Sequence, residues 1–280
     1  MGIDVHALQL LQYNKQYNKG LGKTLTLGRL AILLGSRLAK KWAGTDQGAW
    51  CEDLLIKNFN AEQVDSIDNS GYEDASIIYD YNCPVPNVLK NKYDTVLDFG
   101  CSEHIFDVAQ AFKNTISVCK VGGIILHILP TDGFCGHGFY QFTPEFFFSL
   151  YSQENGFKNT EVFLSDLYNP KKWYKVNRPN NGQRINIRTT NETYVIVRTE
   201  KNSDKEIFLQ QSDYTHLWNE GNSKTAKPYK IGKITRIREA LSFSSFVVKL
   251  FMSLVARMPS NGTKKLSQHK SLSLFKPPSI

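Results

Sequence analysis

Tyr93-Asp94-Thr95-Val96-Leu97-Asp98-Phe99-Gly100-Cys101-Ser102-Glu103-His104-Ile105-Phe106-Asp107 is a short apolar run that ends on an acid, a glycine and a polar turn. Val108 to Lys120 follows, with Ala109, Phe112, Ile116 and Cys119 at intervals of three and four, the spacing of one helix face. Val121-Gly122-Gly123 then breaks the helix, and Ile124-Ile125-Leu126-His127-Ile128-Leu129 is apolar almost throughout, as a strand buried on both faces is. Strand, turn, helix and strand in about forty residues make one βαβ unit of a parallel sheet.

Working outward, Thr24-Leu25-Thr26-Leu27, Val64-Asp65-Ser66-Ile67 and Ala75-Ser76-Ile77-Ile78-Tyr79 read as further strands separated by helical patterns. Pro144-Glu145 opens an aromatic helix (Phe146, Phe147, Phe148, Tyr151) that Asn155-Gly156 stops. Glu161–Leu164 and Thr193–Arg198 read as a closing antiparallel pair, and Asn169 to Arg188 between them as a long polar loop. The expected fold class is therefore α/β, a doubly wound, mostly parallel Rossmann-like sheet. The expected division is an N-terminal arm at 1–22, the sheet domain at 23–200 and a basic extension at 201–280, with an amphipathic helix at 237–258 and a disordered end.

The 280 residues carry a net charge of +8, but residues 221–280 alone hold twelve Lys/Arg and one acid, Glu239, so the first 220 residues are slightly acidic. A basic tail on an acidic body argues against nucleic-acid binding by the core. Ile237 to Met258 places Val247, Leu250, Phe251, Leu254 and Val255 on one face, and Ser245, Lys249, Ser253 and Arg257 on the other. That face suits packing on protein, or a peripheral contact with an anionic membrane surface. Five scattered cysteines and a start without a basic, then apolar, leader point to a reduced cytoplasmic protein.

The order Tyr93-Asp94, then Glu103-His104, then Lys120-Val121-Gly122-Gly123, resembles the second half of a class I S-adenosylmethionine-dependent methyltransferase. Gly138-Phe139-Tyr140-Gln141-Phe142-Thr143-Pro144-Glu145 and Glu154-Asn155-Gly156-Phe157 extend the resemblance, which covers about Lys23 to Thr199 and suggests an uncharacterised subgroup. It implies S-adenosylmethionine as cofactor, with Gly28 and Gly100 at the strand-end turns, Asp68 on the ribose hydroxyls and Asp80 near the adenine amino group. The turn Thr26-Leu27-Gly28-Arg29 has one glycine where the family is glycine-rich, and Arg29 puts a cation where a sulfonium should sit. Asp68 and Asp80 can also be read as strand-end caps.

Methyl transfer from a sulfonium needs an oriented acceptor and, for a hydroxyl or amine, a base. His137 in its glycine-flanked loop is the candidate base, with Glu103 and His104 beside it and Tyr140 shaping the pocket of a small-molecule or saccharide-like acceptor. Glu103 and His104 can equally orient the following helix, and 137–140 can be a packed turn. Cys101-x-x-His104 and Cys135-x-His137 follow neighbouring strands, but their spacing is not a usual metal pattern and no metal is assigned. The alternatives to an enzyme are a methyltransferase-like module that binds a partner, and a membrane-surface protein whose basic tail rather than its core defines its role.

Overall fold

The structure is a computed structural model and describes residues 2–17, 20–45, 48–178, 185, 187, 189–209, 233–241, 244–257 and 272–280. Along the chain run β1 (Gly2–Ile3), α1 (Val5–Lys15), β2 (Gly22–Leu27), β3 (Ala31–Ile32), α2 (Ser36–Ala43), α3 (Glu52–Phe59), β4 (Ala61–Asp68) and β5 (Ile77–Ile78). Then come β6 (Tyr93–Phe99), α4 (Val108–Val118), β7 (Cys119–Asp132), α5 (Pro144–Leu150), β8 (Phe157–Asp166), β9 (Trp173–Val176), β10 (Thr193–Lys201) and, after two further helices, β11 (Leu272–Phe275).

Nine strands form one sheet in the order β11-β9-β8-β10-β7-β6-β2-β4-β5. From β5 to β7 every pairing is parallel, and from β7 to β11 every pairing is antiparallel. Chain direction of crossover reverses between β2 and β6, which pair through Thr24↔Thr95 to Thr26↔Leu97. This is the expected doubly wound sheet, continued by an antiparallel half.

Alternation along each strand feeds two cores. Leu25, Val96, Ile125 and Val197 face one side, where α4 and α5 bring Phe112, Ile116 and Phe147. Leu97, Leu126 and Ile196 face the other, against Leu8 and Leu11 of α1, Ala39 of α2 and Leu55 of α3. Residues 2–15 are thus part of the second core, capped by Asp4, whose carboxylate accepts from the Ala7 amide at 2.8 Å. The polar residues in α1 hid this: Gln9 and Asn14 are buried too, and Asn14 accepts from Arg198 of β10 at 3.0 Å.

Three expectations are corrected. Residues 169–188 are not all loop, because Trp173 is fully buried against Phe163 and Phe275 and begins β9; Arg178 is exposed, while Arg184 and Arg188 lie outside the described residues. Residues 272–280 are ordered, while 261–271 lie outside the described residues: Leu272–Phe275 pairs with the open edge of β9, and Gln9 donates to the Pro278 carbonyl at 3.3 Å. The single helix at 237–258 is two, Lys233–Ala240 and Ser245–Arg257, with Phe246 and Leu250 of the second exposed. Phe243 and Met258 lie outside the described residues. Among the described residues no helix is long and apolar enough to cross a membrane.

Candidate active site

Open α/β sheets bind ligands outside the carboxyl ends of their strands, where the winding reverses. Here two clefts sit at that edge. The first, of about 220 Å³, is walled by Leu27, Ile67, Tyr79 and Ile105, with Asp68, Asp80, Cys101 and His104 at its rim. The second, of about 230 Å³, is lined by Gly2, Asp4, Leu33, Gly100, Glu103, His104, His137 and Tyr194. His104 lines both, so one residue marks the joint between them.

Asp68 ends β4 and Asp80 follows β5 by two residues, and each closes a short turn through Oδ1. Asp68 accepts from the Ser70 amide at 3.0 Å, and Asp80 from the amide and side chain of Asn82 at 2.9 and 2.7 Å. Those bonds hold the Asp80 carboxyl below its usual range. The two acids are therefore turn-formers and cleft residues at once. The neighbouring β4 and β5 bring them together although eleven residues separate them in sequence.

Arg29 lies away from both clefts. Its Nε donates to Glu52 at 2.8 Å, Nη1 donates to the carbonyls of Glu73 and Asp74 at 3.2 Å each, and the guanidinium stacks 4.7 Å over Trp50. The cation that the sequence sets at the end of β2 is thus spent on the loop between β4 and β5. Gly28 turns the chain with φ 71° and donates to the Ile67 carbonyl at 2.8 Å, but lines neither cleft. Gly100, with φ 92°, lines the second.

Glu103 stands on a single turn, Ser102–His104, between β6 and α4, and its side chain is only 2% exposed. His137 Nε2 is 3.5 Å and His104 Nε2 3.9 Å from Glu103 Oε1, while Oε2 has no hydrogen-bond partner among the described residues. Burial, then the nearby Asp98 carboxylate, pushes the Glu103 carboxyl up to about 8, and burial with the neighbouring His137 lowers His104. Gly138 lets the loop after β7 press on this turn: at φ 68°, its α-carbon stands where a Cβ would meet the Glu103 carbonyl oxygen at 2.8 Å. Tyr140 fastens the same loop by donating to the Phe106 carbonyl at 2.7 Å and lines neither cleft.

Behind Glu103 lies a network that sequence reasoning missed. Asp98 is fully buried at the end of β6 and accepts from Ser102 Oγ at 2.6 Å and from His127 Nδ1 at 2.9 Å; His127 Nε2 meets the Tyr151 hydroxyl at 2.6 Å. The signal was present, since His127 is the one polar residue in the run 124–129. Gly2, Asp4 and Tyr194 gave none, because only the folded sheet brings residues 2–4 and 194 beside 103.

No protein-family model matches the chain, and no curated protein matches its sequence. Among solved structures, a SAM-dependent methyltransferase of Thermotoga maritima is similar at 15% identity over 70% of this chain and 91% of that one, with a TM-score of 0.37. The 1,6-didemethyltoxoflavin-N1-methyltransferase of Burkholderia thailandensis matches at 11% identity over 71% and 79% of the two chains (TM-score 0.40). The branched-chain polyamine synthase of Thermus thermophilus matches at 11% identity over 74% and 58% (TM-score 0.39). The sheet order and register, in their own right, give this chain the doubly wound α/β fold expected from its sequence.

Proposed function

We propose that the chain is an S-adenosylmethionine-dependent methyltransferase acting on a small-molecule or saccharide-like acceptor. One observation carries the reading: Asp68 and Asp80 line one cleft, Glu103 and His137 line another, and His104 joins the two at the reversal point of the sheet. Asp68 and Asp80 are suited to the ribose hydroxyls and the adenine amino group, because free carboxylate oxygens accept from both. Tyr79 and Ile67 supply apolar walls for a flat base.

In the transfer, the acceptor oxygen or nitrogen attacks the methyl carbon in line with the carbon–sulfur bond; the new bond forms as the old one breaks, and the electron pair returns to sulfur. The acceptor's proton must go to a base. His137 is half-exposed on its loop and within 3.5 Å of Glu103, which orients it. S-adenosylhomocysteine and the methylated acceptor leave.

The test is a transfer assay with methyl-tritiated S-adenosylmethionine across a panel of small hydroxyl, amine and saccharide acceptors. Label should move to at least one acceptor, and His137→Ala should slow it by about 10²- to 10⁴-fold. Transfer that is undiminished in His137→Ala would remove that residue as base. No transfer to any acceptor, together with no cofactor binding, would contradict the reading.

A further inference from the structure

Two facts about Glu103 belong together: it is a carboxyl with a nearly inaccessible side chain, and among the described residues one of its oxygens has no hydrogen-bond partner. A carboxyl in that condition either keeps its proton or is completed by a cation that displaces it. Two imidazoles face it. One ligating atom from each of Glu103, His104 and His137 lies within 4.8 Å of the other two, and the two imidazole–carboxylate separations are 3.5 and 3.9 Å. Donors bound at about 2.0–2.2 Å to one ion stand about 3–4 Å apart, so small side-chain rotations close the set around a single centre.

We infer that Glu103, His104 and His137 bind one divalent transition-metal cation. The backbone prepares the site. Glu103 and His104 share one turn at the end of β6, and the loop carrying His137 is fixed to it by the Phe139 amide, which donates to the Glu103 carbonyl at 2.7 Å. Imidazole donors favour zinc, copper, iron or nickel over magnesium, calcium and manganese, and three protein donors leave coordination positions open. The three side chains line the second cleft together, so those positions are open to a water or to an oxygen of a bound molecule. The cysteines on the same two loops take no part: among the described residues Cys101 and Cys135 are absent from the cluster.

The site shares Glu103, His104 and His137 with the proposed methyl transfer, so the probe is the metal alone, read without that reaction. Full-length protein, stripped with a chelator, is titrated with Co²⁺ and followed by visible absorption, with Zn²⁺ titrated in parallel by calorimetry. The inference expects one equivalent bound at micromolar concentration or below, and weak visible bands without a thiolate charge-transfer band. Glu103→Gln and His137→Ala should each weaken binding by at least tenfold. His137 is exposed on a loop, so its substitution leaves the fold in place, which circular dichroism checks. No binding to the wild type at millimolar metal, undiminished binding to folded His137→Ala, or a thiolate band would each overturn it. S-adenosylhomocysteine titrated on the same sample separates the two claims, since metal binding without nucleoside binding keeps the cation site and sinks the methyltransferase reading.

Discussion

The amide of Phe139 donates to the carbonyl of Glu103 at 2.7 Å, and through that bond the loop after β7 holds His137 against the turn after β6. The contact needs a residue without a side chain next to it. Gly138 provides that, at a φ of 68° and with no room for a Cβ beside Glu103. Gly138→Ala should destabilise the protein by about 1–3 kcal/mol and displace His137. Urea denaturation measures the first effect; an unchanged midpoint would mean that the loop yields without cost.

The buried network of Asp98, His127 and Tyr151 makes a second prediction. Replacing His127 with Leu removes a donor from a carboxylate that has no access to water and leaves the Tyr151 hydroxyl unpaired. The expected loss is about 2–3 kcal/mol, the cost of leaving a buried charged acceptor short of one donor and a buried hydroxyl without its partner. Tyr151→Phe, which leaves Asp98 paired, should cost only about 1–2 kcal/mol. Equal losses in the two variants would show that the Asp98 contact is not the dominant one.

Acid sensitivity follows from Glu161. Burial alone would raise its pKa, but hydrogen bonds from Lys175 at 2.6 Å, Tyr17 at 2.5 Å and Tyr13 at 2.9 Å outweigh that and hold it below the usual range. A depressed carboxyl contributes stability that is present above its unfolded pKa of about 4.3 and is lost as pH falls through the folded value. Glu161→Gln should therefore be less stable than wild type at pH 7, and the gap should narrow below about pH 4. Thermal melts across that range check this; a constant gap would assign the effect to packing.

The sequence carried the parallel half of the fold in plain form. The helix face at 109–116 and the apolar strand 124–129 are repeated local signals, and the structure places α4 and β7 on them; the helix ends at Val118, though, and Cys119 to Gly123, expected as its last turn and its break, already belong to β7. Position in the sheet was legible for Glu103, His104 and His137, because strands that neighbour in a βαβ unit put their following loops side by side. Long-range pairings were not legible. Leu272-Ser273-Leu274-Phe275 is too short to be read as a strand by itself, and it becomes one because β9 offers an open edge and Phe275 stacks on Trp173. The fate of Arg29 was hidden for the same reason: Glu52 and the 73–74 carbonyls reach it only in the folded chain.

In the proposed function, the cleft at the ends of β4 and β5 takes the nucleoside of S-adenosylmethionine. Calorimetric titration with S-adenosylhomocysteine, on wild type and on Asp68→Ala, checks this. Micromolar binding that weakens at least tenfold in Asp68→Ala is the predicted result. No binding at millimolar ligand, or equal affinity in the two proteins, would contradict the assignment of that cleft.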